Sequence, residues 1–191
     1  MSAKVSVPGS LHLIEIAAGG GSADIRSRVE DLVRHVGGAV VESVWAARLG
    51  RLYLIADRLE PAALRSALTA AGLQAAEIAP VRLIGTPADA AAPAPSHLVE
   101  WDLPPDLGME RYLKRKAEKS PLYAQVPEVK FLRTYVREDT VKCLCLYDAP
   151  DEEAVRRARA AVSAPISRLD QVEADGGVAA SVAPSRAAAE R

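Results

Sequence analysis

Apolar and polar positions alternate in several short segments of this chain, and other segments repeat apolar residues at helical spacing. In the first half, the alternation predicts strands over residues 11–16, 39–48, 51–57 and 76–84. Two helices are predicted between them from two apolar stripes: Ile25, Val29, Leu32, Val33 and Val36, then Leu64, Ala67, Leu68 and Ala71. The first half therefore follows the order β-α-β-β-α-β.

The same order begins again at residue 97. Residues 97–101 repeat residues 12–16 almost letter for letter, and a helix stripe follows at Met109, Tyr112, Leu113, Lys116 and Ala117. A hairpin over 129–138 and 141–148, a helix over 152–162 and a strand over 166–172 complete the second copy. The order β-α-β-β-α-β is that of a ferredoxin-like fold of the α+β class.

The repeated order predicts two tandem ferredoxin-like domains, at residues 11–85 and 97–172. Residues 86–96, rich in alanine and proline, are predicted to be a linker, and residues 173–191 a disordered tail. We expect the two sheets to pair as in a dimeric α+β barrel, so that the chain is a monomeric pseudo-dimer or a homodimer.

Charge and composition narrow the possible partners. The net charge of −1 gives no overall field toward nucleic acid, and no apolar run approaches the roughly 18 residues of a membrane span. Five basic residues cluster on one predicted helix, at Arg111, Lys114, Arg115, Lys116 and Lys119, and we interpret them as a solvated face. Two cysteines make no disulfide framework, so the expected location is cytoplasmic.

The two cysteines are the first candidates for chemistry. Alternation places Cys143 and Cys145 on one face of a strand, about 6.5–7 Å apart along it. Two thiolates at this spacing could hold a soft metal ion such as Cu(I) or Zn(II) if a third ligand came from elsewhere, and His97 is one candidate. The alternative is that both cysteines are small buried hydrophobes and that His97 only forms hydrogen bonds.

Glu100 is the second candidate because a carboxylate in an apolar strand is costly to bury without a partner. Arg133 or Arg137 could pair with it across the sheet. In that case Glu100 closes an ion pair, whereas an unpaired Glu100 could serve as a proton acceptor.

Aromatic residues are concentrated in the second half, where they could form either a packed core or a ligand pocket. A pocket would use Trp101, Tyr123, Tyr135 and Tyr147, with Arg133 as a polar group. The irregular stretch over residues 120–127 is a candidate lid over such a pocket.

The second half also resembles a known family. Residues 131–136, 145–151, 154–156 and 165–166 are similar to the Domain of Unknown Function 4242 family of small bacterial ferredoxin-like proteins, one branch of which is described as nickel-binding. The resemblance implies a transition metal ion, nickel first, with Cys145 at a position that matches the family. Ala158 stands where several members carry a histidine, which departs from the family's pattern.

Three functions remain open from the sequence. The first is a non-enzymatic protein that binds a metal ion or small ligand, mainly in the second domain. The second is a small cofactor-independent isomerase or monooxygenase, with Glu100 as base and Tyr123, Arg133 and Tyr135 orienting the substrate. The third is a partner in protein assembly.

Overall fold

The protein forms one closed sheet with helices on its outer surface, in a computed structural model that describes residues 11–17, 22–88 and 93–174. The strands are β1 (Leu11–Ala17), β2 (Ala39–Ala46), β3 (Arg51–Asp57), β4 (Ala75–Gly85), β5 (His97–Asp102), β6 (Lys130–Arg137), β7 (Lys142–Asp148) and β8 (Arg168–Ala174). The helices are α1 (Ser22–His35), α2 (Pro61–Ala70), α3 (Met109–Lys119) and α4 (Glu152–Ala161), and a 3-10 helix spans Ser120–Gln125.

The order of elements is the one that the sequence predicts, with small shifts at the boundaries. β2 ends two residues before its predicted end because residues 47–50 form the turn, and β8 begins two residues late. β8 includes Glu173 and Ala174, the first two residues of the predicted disordered tail. The rest of that tail, residues 175–191, lies outside the described residues, as does part of the predicted linker, residues 89–92. No helix within the described ranges is both long enough and apolar enough to cross a membrane.

The eight strands form an antiparallel barrel in the order β1-β3-β2-β8-β5-β7-β6-β4. Two pairings, β2 with β8 and β4 with β6, join the first half of the chain to the second. The halves therefore meet through hydrogen bonds between strand edges, as well as through the inward faces of their sheets. Gly85 ends β4 at φ 110°, where an added Cβ would lie 2.9 Å from the Leu132 carbonyl oxygen, so this joint requires glycine.

Alternation along each strand divides the apolar side chains among three cores. One core fills the barrel and includes Leu13, Tyr53, Leu98 and Leu144. A second lies outside the first half, where Leu52 and Leu54 and their neighbours are covered by α1 and α2. The third lies outside the second half, under α3, the 3-10 helix and α4.

The third core is held in place by the start of α4. Asp151 caps this helix, accepting a 2.8 Å hydrogen bond from the Ala154 amide, and Glu152 and Glu153 follow in its first turn. Ala154, Val155 and Ala158 are then fully buried against the sheet. The same helical stripe continues to Arg159, which is also buried.

Candidate functional site

An open cleft lies on the outer side of the second half, bordered by α3, the 3-10 helix and α4. Its empty volume is about 370 Å³, counting the solvent at its mouth. Trp101 from β5, Tyr112 from α3 and Tyr123 from the 3-10 helix provide aromatic surface. Its lining resembles that of small-molecule sites in composition, since such sites are mostly apolar with a few placed polar groups.

Four positively charged side chains also line the cleft, and none of the described residues that line it carries a carboxylate. They are Arg115, Lys116, Lys119 and Arg159. Arg115 and Arg159 lie over the Trp101 ring, with their guanidinium carbons 6.0 and 5.6 Å from its centroid. The sequence placed the first three on a solvated helix face. Arg115 and Lys119 remain partly exposed on this concave surface, whereas Lys116 reaches inward to Thr134.

The two cysteines lie behind the cleft, in the core beneath α3 and α4. Cys143 and Cys145 are both buried, and their Sγ atoms are 3.9 Å apart on one face of β7, as the alternation predicts. Thr134 donates a 3.2 Å hydrogen bond from Oγ1 to Cys145 Sγ, and Arg159 Nη1 lies 3.5 Å from the same sulfur. Lys116 Nζ donates in turn to Thr134 Oγ1 at 2.9 Å.

This arrangement makes the two thiols unequal. The pKa of Cys145 is well below its ordinary value because Cys143 donates a hydrogen bond to it and because Lys116 and Arg159 are close. The pKa of Cys143 is raised, since its proton is shared with Cys145 and the group is buried. The pair therefore holds one negative charge on Cys145 at a lower pH than a free thiol would. Burial also lowers the pKa of Lys116.

Two tyrosines connect the thiols to the 3-10 helix. The hydroxyls of Tyr123 and Tyr147 are 2.9 Å apart, and Arg159 Nη1 donates to Tyr147 at 3.3 Å. Tyr123 stacks on Phe131 with ring centroids 5.3 Å apart, and the Lys116 ammonium lies 4.1 Å from the Phe131 centroid. The 3-10 helix, expected from sequence to be an irregular lid, is thus packed against the sheet at Tyr123.

The structure divides the candidate site residues into separate groups. Trp101 and Tyr123 line the cleft, and Tyr147, Cys143 and Cys145 lie in the core behind it. Arg133 and Tyr135 point to the other side of the sheet, where Tyr135 belongs to the barrel core. His97 is also buried, its Nδ1 lying 2.8 Å from Ser96 Oγ, and burial lowers its pKa.

Glu100 is fully buried inside the barrel, as expected for a carboxylate that must find partners. Its partners are Tyr53, whose hydroxyl donates at 2.7 Å, and Arg168, with the Lys142 ammonium 3.6 Å away. The prediction that Arg133 or Arg137 would pair with it is wrong. Arg133 binds Glu42, and Arg137 binds Glu77 and Asp139.

The thiol pair does not match the ligand set of a nickel or zinc ion. The described residues contain no group of three His, Cys, Asp or Glu side chains that could hold a metal, and His97 is not brought to the cysteines. Nickel and zinc sites draw on imidazole, carboxylate or additional thiolate ligands beyond two sulfurs. Here the positions beside Cys145 are taken by Arg159 and by Thr134, itself bonded to Lys116, and a cation there meets like charge.

We therefore expect added nickel to leave the thermal midpoint of the wild-type protein unchanged. The same result should hold for Cys143→Ser and Cys145→Ser, because two sulfurs beside two cations give too little binding energy. Thermal unfolding followed by circular dichroism with and without Ni(II) measures this. A nickel-dependent rise of the wild-type midpoint that both serine variants lose would contradict the expectation and make the pair a metal site.

Sequence reasoning missed Lys116, Arg159, Tyr112 and Thr134 as members of this site. Two signals were present. Lys116 falls in the apolar stripe of α3 beside Tyr112, and Arg159 follows Val155 by four residues on the buried face of α4. A cation at a buried stripe position needs polar partners, and here these include Cys145 Sγ for Arg159 and Thr134 Oγ1 for Lys116.

Distant structural similarities extend over most of the chain. They include the regulatory subunit of aspartate kinase from Thermus thermophilus (13% identity, 83% of this chain and 94% of that one, TM-score 0.36). They also include a provisionally assigned monooxygenase from Lactobacillus acidophilus NCFM (10% identity, 88% and 95%, TM-score 0.48). A microcompartment protein from Desulfitobacterium hafniense DCB is a third (14% identity, 80% and 84%, TM-score 0.31).

Sequence comparison is more specific, but it covers only part of the chain. No curated protein matches. The model of the family described as nickel responsive protein SCO4226-like matches residues 97–172, the half that carries the cleft and the thiol pair.

Proposed function

We propose that the protein binds a small organic molecule in the cleft formed by α3, the 3-10 helix and α4, and that it does so without a metal ion. The main support for this proposal is the cleft, where Trp101, Tyr112 and Tyr123 form an apolar surface beside Lys116 and Arg159. Aromatic walls with a few convergent polar groups are the usual composition of a ligand site. The family match supports the choice of the second half.

The proposal uses no nickel, although the matched family is described by its response to that metal. A nickel-linked role of this chain would then have to act through something other than direct ligation by Cys143 and Cys145, whose surroundings do not fit the ion. The enzymatic alternative is also less favoured. Glu100, its intended base, lies inside the barrel and is bonded to Tyr53 and Arg168, while Tyr123 lies outside it.

We also infer that residues 11–85 and 97–172 are tandem ferredoxin-like domains that form the barrel within one chain, as a pseudo-dimer. Both halves contain β-α-β-β-α-β, and the pairing of β1 with β3 corresponds to that of β5 with β7. In this correspondence Leu52 and Leu54 occupy the places of Cys143 and Cys145. Leu52 pairs with Ile16 as Cys143 pairs with Trp101. Leu54 pairs with Ile14 as Cys145 pairs with Val99. The thiol pair thus belongs to one half only.

A cleft-filling substitution tests ligand binding. Two fluorescent probes with a similar aromatic body would be titrated, anionic 8-anilinonaphthalene-1-sulfonate and neutral N-phenyl-1-naphthylamine. We expect at least one of them to bind the wild type with enhanced fluorescence, and Ala164→Phe to abolish that binding because Ala164 lines the cleft. Ala160→Phe is the matched control, since Ala160 is exposed on α4.

Circular dichroism and thermal midpoints would confirm that both phenylalanine variants are folded. If the probes bind Ala164→Phe as well as they bind the wild type, they bind elsewhere. The cleft would then not be a ligand site.

A further inference from the structure

The charges around the cleft define the class of ligand more narrowly. We propose that the cleft recognises an organic anion, a carboxylate or related oxyanion on an apolar, aromatic-sized body. This inference rests on the proposed function and adds the charge of the ligand to it.

The cations of the cleft have no carboxylate partners among the described residues. Within the described ranges, none of Arg115, Lys116, Lys119 and Arg159 takes part in a salt bridge. Many arginines elsewhere are paired, such as Arg133 with Glu42 and Arg157 with Glu128, although Arg65 and Arg111 bond only to backbone carbonyls. The cleft thus brings four cations without carboxylate partners onto one concave surface.

Arg159 contains a hydrogen-bond donor that has no partner. This side chain is 2% exposed and lines the cleft, yet its Nε is buried and has no hydrogen-bond partner. Its other nitrogens are engaged, Nη2 with the Pro165 carbonyl oxygen and Nη1 with Tyr147 and Cys145. A buried donor without a partner costs free energy, which an acceptor atom of a bound ligand would recover.

Positive side chains outnumber acidic groups around the cleft. Lys116 and Arg159 lie close to the Cys145 thiol, and Arg115 and Lys119 add positive charge at the mouth. Burial works against the charged form of Lys116. A bound anion would offset both the excess charge and the desolvation of these cations.

Aromatic rings form much of the cleft wall. The Trp101 ring is flanked by the guanidinium groups of Arg115 and Arg159, and Tyr112 and Tyr123 provide further aromatic surface. Such a surface favours a flat apolar group, whereas a small inorganic anion would leave it in contact with water. Arg115 donates from Nη2 to the Ser163 carbonyl oxygen, and its positive charge beside this surface favours a carboxylate or similar oxyanion on the apolar group.

The test compares the two probes, which share an aromatic body but differ in charge. We expect 8-anilinonaphthalene-1-sulfonate to bind more tightly than neutral N-phenyl-1-naphthylamine, and its affinity to fall as salt rises. Arg115→Gln and Lys119→Gln should each weaken sulfonate binding about fivefold, the effect of a partly exposed charge, and should leave the neutral probe unchanged. Benzoate should displace the sulfonate probe at lower concentration than inorganic phosphate does.

Lys114→Gln is the matched control because it removes the same charge from α3 at an exposed position away from the cleft. Arg159 is kept intact since its contacts with Pro165 and Tyr147 also support the fold. If both probes bind equally well and both lose binding in Ala164→Phe, the cleft binds small molecules but has no preference for anions. If phosphate displaces the sulfonate probe as effectively as benzoate does, the cleft does not require an apolar group on the anion. Insensitivity to Ala164→Phe would overturn the cleft itself.

Discussion

Raising the pH above about 10 should unfold this protein cooperatively. All five tyrosines have raised pKa values in the folded state. Burial is the first cause in each case, and the pKa of Tyr123 rises to about 12. A group whose pKa is raised by folding stabilises the protein fully below its unfolded pKa, about 10 for tyrosine, and loses that contribution as the pH rises further.

The expected loss is large because the contributions accumulate. Each tyrosine that stays protonated in the folded state lowers the free energy of unfolding by about 1.4 kcal/mol at one pH unit above its unfolded pKa. Five such tyrosines lower it by about 7 kcal/mol at pH 11. That is comparable to the whole stability of a typical domain, roughly 5–15 kcal/mol. Tyr123 stops contributing to the loss above its folded pKa of about 12.

Circular dichroism and the ultraviolet absorbance of tyrosinate, recorded together against pH, measure this effect. The two signals should change in one transition, and Tyr123→Phe should move its midpoint to higher pH because phenylalanine has no proton to lose. If tyrosinate instead forms gradually near pH 10 while the dichroism stays native, the hydroxyls are accessible and the argument fails.

Removing one partner of the buried ion pair inside the barrel should have the second large effect. Arg133 is 3% exposed and donates to both carboxylate oxygens of Glu42, with Nε at 2.8 Å. Tyr135 adds a 2.8 Å hydrogen bond to the same carboxylate. Arg133→Met leaves that carboxylate buried beside one hydroxyl, and we expect a loss of about 3–5 kcal/mol in the free energy of unfolding.

The matched control neutralises both partners. Glu42→Gln combined with Arg133→Met should recover most of the loss, because no buried charge remains and the glutamine can still accept from Tyr135. Urea denaturation of the wild type, the single variant and the double variant measures the three stabilities. A double variant as unstable as the single one would mean that packing around Arg133, and not charge, sets the cost.

The sequence was informative wherever a local pattern decides the outcome. Alternation placed Cys143, Cys145 and Tyr147 on one face of β7, and the three share one core. The acidic turn before α4 predicted its start correctly, since a helix N-terminus binds acidic side chains within a few residues. Neither inference needed knowledge of distant parts of the chain.

Contacts between residues that are far apart in the sequence produce no such local pattern. Glu100 is bonded to Tyr53 across the barrel and to Arg168 on β8, partners 47 and 68 residues away. The pairings that close the barrel, β2 with β8 and β4 with β6, likewise depend on the arrangement of all eight strands. The cleft was hidden for the same reason: the charge pattern of α3 is compatible with solvent or a pocket, and only the position of α4 decides between them.

Because one chain forms the whole barrel, residues on its two sides can be substituted independently of each other. In an assembly of identical subunits every substitution is made twice, so a cation behind one cleft would be accompanied by a cation behind the other. Here Leu52 and Leu54 remain aliphatic under α1 and α2, while Cys143 and Cys145 lie beneath Lys116 and Arg159. One side can therefore preserve the stability of the barrel while the other accumulates buried polar and charged groups.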